Sequence, residues 1–389
     1  LKHLLYDTNR GIYKDLNSDN TSAQDSAGGN LTAFNSNGFS IGSGAEVSNN
    51  NDTYASWTFR KAEKFFDVVE FEAPTSASDN FRVSHNLGSV PACIIVKSVD
   101  VTGDWYVYHS SLETPRNDSL KLNTTAAFVA SGDFWGEANP TTTDFGVQVR
   151  NFGKRPVTTS AGTYIAYLFA SNAGGFGDDE DENIIKCGSF TGTGQTNVGF
   201  EPQFLLYKPR SQTANWELAD NMRRLDGVSS SVLKLQPNAE DAEAGGSEIK
   251  INATGFYNGT FGSSYPCIYI AIRRPMKTPE AGTEVFMPVA RTGTGTTAAV
   301  TGVGFSPDLF IGNIRDTAGY WNGVVDRLRG ISNRLVSSQT EAENTQTVIT
   351  SFDMDGLSLT SDGNGFANEN GKTYIEWLFK RATGFMDVV

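Results

Sequence analysis

A single pattern recurs along this chain at a period just above one hundred residues, and it restricts the possible folds more than any other feature. Its clearest marker is a closing segment: "TYASWTFRKA" at 53–62, "TYIAYLFAS" at 163–171, "IYIAIRRP" at 268–275 and "TYIEWLFKRA" at 373–382. Aligning Tyr54, Tyr164, Tyr269 and Tyr374 gives spacings of 110, 105 and 105. A proline-led segment recurs at Pro91, Pro202 and Pro307, and a tryptophan at Trp105, Trp216 and Trp321. A glycine with an apolar follower recurs at Gly38-Phe39, Gly255-Phe256 and Gly356-Leu357, and Phe134 is aligned to the same place. Opening segments read "FFDVVEFEA", "NIIKCGSFTG" and "VFMPVARTG".

These markers divide the chain into a partial copy over 1–62, a first full copy over 63–175, a second over 180–278 and a third over 279–382. Residues 383–389 are expected to be the first strand of a further copy, because "GFMDVV" matches "KFFDVV". Half a copy exposes an apolar face and unpaired strand edges. The complement of residues 1–62 is expected from sequence beyond this segment, with strand addition by another chain as the alternative.

Within each copy the apolar runs are short and alternate. "WYVYHS" sets Trp105 and Val107 on one face and Tyr106 and Tyr108 on the other, the period of a strand. "YIAYLFA" is apolar throughout, as a central strand is. Gly, Asn, Asp and Thr clusters such as "TGTGQTN" and "SDGNG" supply the turns. The expected fold is therefore all-β: a tandem array of β-sandwich, jelly-roll-like modules in an elongated chain, each module burying its own core. One short helix per copy is expected near "NTTAAFVA", "NAEDAEA" and "SQTEAEN".

Charge limits the partners. A net charge of −13 argues against the nucleic-acid backbone and anionic membrane surfaces, both of which need a basic face. No run of eighteen apolar residues marks a membrane helix, so no insertion is expected. Three cysteines do not make a disulfide framework; Cys93 and Cys267 read as small buried strand residues. That usage suits synthesis in a reducing cytoplasm.

Chemical signals are sparse. The three histidines, His3, His85 and His109, lack metal-ligand spacing, and His85 is expected to bond backbone in a turn. No metal or cofactor is expected. The run Asp178, Asp179, Glu180, Asp181, Glu182 has oxygen ligands that suit Ca²⁺, with a solvated linker as the plainer reading. "D-x-x-R" recurs as Asp7/Arg10, Asp220/Arg223 and Asp326/Arg329, a spacing suited to bracing a turn. Strand alternation after the repeated glycine is expected to turn Trp135 and Tyr257 outward. Beside Asp133, Glu137 and Asn258, those aromatics become candidate glycan contacts, with packing between modules or subunits as the alternative.

Several longer motifs carry a resemblance. "FRVSHNLGSVPACIIVKSVDVTGDWYVYH", "LKLNTTAA", "YIAYLFASNAGGFG", "IIKCGSFTGTG" and "YIAIRRPMKTP" resemble an uncharacterised repeat in large structural proteins of marine tailed phages, including cyanophages. The resemblance implies a non-enzymatic virion component of tail-fibre or adhesin type, assembled in the host cytoplasm. The expected partners are other virion proteins, further copies in a homo-oligomer, a trimer being the usual fibre state, and host surface glycans. A polysaccharide depolymerase and a bacterial surface adhesin are the alternative readings.

Overall fold

The computed structural model describes the whole chain except residues 1, 27–28, 131, 150–155, 158–161, 228–231, 248, 260–264, 275–276 and 362–365. The fold is all-β, with 41% strand against 3% helix. One larger sheet recurs in each full copy with the same strand order: opening, closing, proline-led, tryptophan. In the first copy these strands are Phe66–Glu72, Thr163–Phe169, Cys93–Ser98 and Tyr106–His109. The second has Ile185–Phe190, Cys267–Arg273, Pro202–Pro209 and Glu217–Asp220. The third has Phe286–Thr292, Thr373–Phe379, Leu309–Ile314 and Gly323–Asp326. Every pairing is antiparallel.

A smaller sheet accompanies each larger one. In the second copy, Gly255–Asn258 lies between Gly194–Asn197 and Ile249–Asn252. In the third, Gly356–Leu359 lies between Ala298–Val300 and Ile349–Asp353. In the first, Ser78–Ser84 pairs with Asp144–Val149, and the partial copy keeps the hairpin Leu31–Asn35/Gly38–Ile41. The repeated glycine has a steric cause. A Cβ on Gly255 would strike the Thr196 carbonyl, and one on Gly356 the Val300 carbonyl, so only glycine admits the neighbouring strand. In the second copy Leu205, Tyr207, Tyr269 and Ala271 of the larger sheet share a core with Ile249, Ile251 and Phe256 of the smaller.

Three alignments change once pairings are known. Matching the sheets through their proline-led strands places Cys267, not Tyr269, where Tyr164 and Tyr374 stand. The slip is two residues, a full pleat, so Tyr269 keeps the same face and is equally buried. The tryptophan strand of the third copy slips by one. Ile95–Val107, Leu206–Leu218 and Ile311–Val324 are equivalent pairs, which puts Asn322 in the place of Trp105 and Trp216. Backbone bonding agrees: the amides of Trp105, Trp216 and Asn322 bond to the side chains of Asn123, Asn238 and Ser338. A one-residue slip reverses the face, so Trp321 is 42% exposed whereas Trp105 and Trp216 are 0% and 3% exposed. Finally, Phe134 lies in a turn; the strand matching Gly255–Asn258 in the first copy is Asp144–Val149, which buries Phe145.

The expected short helices are not formed at 123–130, 238–244 or 338–344. Among described residues the helical turns are Ala45–Ser48, Asn221–Arg223 and Gly282–Glu284. The 123–130 segment is extended because its main chain bonds the next copy: Phe128 N–H donates to Arg210 O, and Thr125 O accepts from Ala214 N–H, both at 2.8 Å. Residues 383–389 form no strand. They repeat instead the tight turn that precedes the first opening strand, with Met386 N–H on Ala382 O as Phe66 N–H is on Ala62 O.

The third copy keeps a core of its own, but independent cores strung in line do not describe the copies before it. One apolar cluster joins Leu16 of the partial copy, Cys93, Ile95, Trp105 and Ile165 of the first, and Leu206, Trp216, Leu218 and Ile270 of the second. The larger sheets of the first two full copies are thus buried on both faces, one inside its own copy and the other between copies.

Candidate functional site

The faces where copies meet hold most of the specific polar chemistry, and they repeat. Trp105 Nε1 donates to Asn17 O at 2.8 Å, and Trp216 Nε1 to Lys121 O at 2.9 Å. Leu16↔Leu5 and Leu120↔Val107 are matching pairs, so Asn17 and Lys121 are equivalent acceptors. Lys97 Nζ reaches Thr21 O at 3.2 Å, and Lys208 Nζ reaches Thr125 O at 3.0 Å. Burial pushes both ammonium groups down to about 8. The first copy therefore grips the partial copy as the second grips the first.

The partial copy in turn grips the second. His3 occupies the place of the tryptophan, and its Nε2 bonds Ala239 O at 3.1 Å. Ser18 Oγ donates to Pro237 O at 2.7 Å. The three copies form a closed cycle.

The D-x-x-R pairs sit at these junctions. Asp7 Oδ1 accepts from the Asn9 and Arg10 amides, and Asp220 Oδ1 from those of Met222 and Arg223. The other carboxylate oxygen meets the arginine Nε, at 2.6 Å for Asp7 and 2.8 Å for Asp220. Asp326 and Arg329 make the same brace. Two braces also receive an aromatic from another copy. Tyr167 Oη donates to Asp7 Oδ2 at 2.9 Å. Trp57 Nε1 donates to Asp220 Oδ2 at 3.1 Å, and the Arg223 guanidinium stacks 5.1 Å from the Trp57 ring centre. Tyr167 and Trp57 both lie three residues past the closing tyrosine.

His109 replaces the aspartate in the first copy. Its Nδ1 accepts from Ser111 N–H at 3.1 Å, and Nε2 bonds Tyr269 O, also at 3.1 Å. These partners fix a neutral ring with its proton on Nε2. Complete burial pushes its pKa down to about 4. The unfolded histidine ionises near 6.5, so this group's contribution is full above that pH and is lost as pH falls towards 4. The loss is about 3 kcal/mol at about 1.4 kcal/mol per pKa unit. The stability difference between wild type and His109→Asn should therefore narrow from pH 7 to pH 4. Denaturant midpoints at several pH values check this; a difference constant with pH would refute it.

The second and third copies meet differently, through a buried charge network. Glu201 pairs with Arg327 through one oxygen and with Arg381 through the other. Asp308 pairs with Arg274 and with Arg327 Nε, the latter at 3.0 Å, and accepts from the Arg381 amide at 2.7 Å. Desolvation, followed by repulsion from Arg327, pulls Arg274 down to about 8. Nothing in the repeat pattern pointed to this network: Arg274 and Arg381 hold equivalent places, but Glu201, Asp308 and Arg327 have no charged counterpart in the other full copies.

The candidate glycan contacts do not assemble as the alternation suggested. Trp135 is 0% exposed; it lies in the turn, with Nε1 donating to Asp118 O at 3.0 Å and its ring edge-on to Tyr108. Asn258 is buried, with Nδ2 on Gly192 O at 2.6 Å. Asp133, Glu137 and Tyr257 are exposed. Trp135→Phe should therefore cost stability, whereas Tyr257→Ala should leave the melting temperature nearly unchanged, within about 0.5 kcal/mol. Thermal denaturation of both variants checks this, and equal losses would refute it.

Other expected features are placed as follows. His85 Nδ1 accepts from Leu87 N–H at 3.2 Å, a backbone contact in a turn. Cys93, Cys187 and Cys267 are all buried free thiols. Among the described residues no three His, Cys, Asp or Glu side chains are grouped to hold a metal ion. Within the acidic run, Glu182 pairs with Arg273 at 2.9 Å and Asp178 accepts from Thr278 Oγ1 at 2.9 Å. A polar depression beside it is lined by Asn172, Asp181, Lys186 and Arg273. No helix among the described residues is long and apolar enough to cross a membrane.

No curated protein and no solved structure matches the chain. A family model does match, over residues 1–263 and 281–386, and the chain therefore belongs to the family described as "Domain of unknown function (DUF7483)".

Proposed function

We propose that this chain is a structural repeat protein of a tailed-phage particle, of tail-fibre or adhesin type, which builds an appendage rather than performing catalysis. The closed cycle of copies carries the reading. Main-chain carbonyls, tryptophan indoles and buried lysines are committed to holding one copy against the next. A scaffold of this kind presents surface loops at fixed spacing, and weak contacts repeated along it raise avidity without new chemistry. The outward Tyr257, with Asp133 and Glu137, is the remaining part of the proposed glycan-contact set. The resemblance to repeats of marine phage structural proteins supports a site of action on the virion, with assembly in the host cytoplasm.

The test is immunolabelling of intact particles with an antibody to this chain. Label along an appendage, at several copies per particle, is the expected result. Unlabelled particles, or release of reducing ends from host polysaccharide by the purified chain, would overturn the reading.

A further inference from the structure

We infer that the outer face of the third copy's larger sheet is an interface that joins three copies of this chain in a ring. In the first and second copies the corresponding face is buried against neighbouring copies. In the third it is open. Leu335 stands where Leu16 and Leu120 are 0% and 1% exposed, yet it is 39% exposed. Ile311, Val324, Ile375 and Phe379 on the same face are only partly covered, although their counterparts in the first copy, Ile95, Val107, Ile165 and Phe169, are buried.

The occupant follows from complementarity within the face itself. Trp377 holds the place of Trp57 and Tyr167, three residues past the closing tyrosine, and among the described residues no bond to its indole N–H is found. Asp326 and Arg329 form the brace that elsewhere receives such an aromatic. The Arg329 side chain is 27% exposed, against 12% for Arg223 and 1% for Arg10, whose braces are occupied. The third copy thus carries both halves of the contact that Trp57 makes with Asp220 and Arg223. Donor and acceptor lie at different places on one sheet, so the contact is head-to-tail. Within the chain two such contacts, with His109 on Tyr269 O at the third junction, link three copies head-to-tail into a closed cycle, and the same geometry between chains closes a trimer. The occupant is the third copy of a second and a third chain.

This deepens the assembly reading above, and the two fail separately. Oligomeric state in solution tests the face; particle labelling tests the location. The full chain should sediment at three times the 42.1 kDa of one chain. Trp377→Ser and Arg329→Glu should each weaken association at least about tenfold, as expected for an interface hot spot. Both should keep the wild-type circular dichroism spectrum. A Trp377→Cys protein mixed with Arg329→Cys and treated with a short bismaleimide should give cross-linked chains. A monomer at high concentration, which is also the outcome if repeats elsewhere in a longer polypeptide cover this face, overturns the inference. So does an oligomer indifferent to both substitutions.

Discussion

Trp216→Ala should lower the stability of the joined first and second copies by about 3–5 kcal/mol, the range for removing a fully buried large aromatic. The loss has two parts. The indole fills the common core between copies, and its N–H satisfies Lys121 O, which would otherwise be buried without that partner. Trp105→Ala should behave alike, because it makes the same contact with Asn17 O. Trp321→Ala is the control. That residue aligns with the other two in sequence but lies on the surface, so its loss should stay within about 0.5 kcal/mol for the single chain. Urea denaturation followed by circular dichroism separates the cases. Three equal losses would show that the one-residue slip in the third copy is wrong.

Glu201→Gln should be as damaging but more local. Glu201 is the shared acceptor for Arg327 and Arg381, and both guanidinium groups are buried. Removing one partner of a buried ion pair costs about 3–5 kcal/mol, because the remaining charge stays desolvated. Here two buried cations each lose a carboxylate: Arg327 keeps only Asp308, which already serves Arg274, and Arg381 keeps only the exposed Asp387. The variant should loosen the third copy from the second while leaving the cluster around Trp105 and Trp216 intact. Hydrogen exchange should rise at 306–330 and 379–387 and stay low in Cys93–Ser98 and Thr163–Phe169. Uniformly raised exchange would mean that the network supports the whole chain rather than one junction.

The sequence made the repeat and the strand order legible because each copy places its turns and apolar alternation alike. Register was legible only modulo a pleat. Tyr269 was aligned two residues away from its structural counterpart, and alternation cannot detect a shift that preserves the face. Trp321 shows the converse: a single inserted position reverses inside and outside, and a shared residue type concealed it. "YIAYLFA" held information of another kind. Its unbroken apolarity records burial on both faces, one of them against another copy, rather than mere centrality in the sheet. Trp135 was misplaced because Asp133 intervenes between Gly132 and Phe134, and its left-handed backbone leads into a turn rather than a strand. The D-x-x-R brace was readable as a turn, but its aromatic visitor was not, since Trp57 and Asp220 meet across the longest step of the cycle. The Glu201 network lay outside any pattern because it occurs once.

The closed cycle depends most on the contact of Trp57 with Asp220 and Arg223, which joins the partial copy to the second. A double-mutant cycle on Trp57→Ala and Arg223→Ala measures it without disturbing the sheets. A coupling energy of about 0.5–2 kcal/mol is predicted, as for a stacked cation and indole that also share a carboxylate. Single-mutant effects that add with no coupling would mean that residues 57 and 223 do not meet, and the copies would then form an open string.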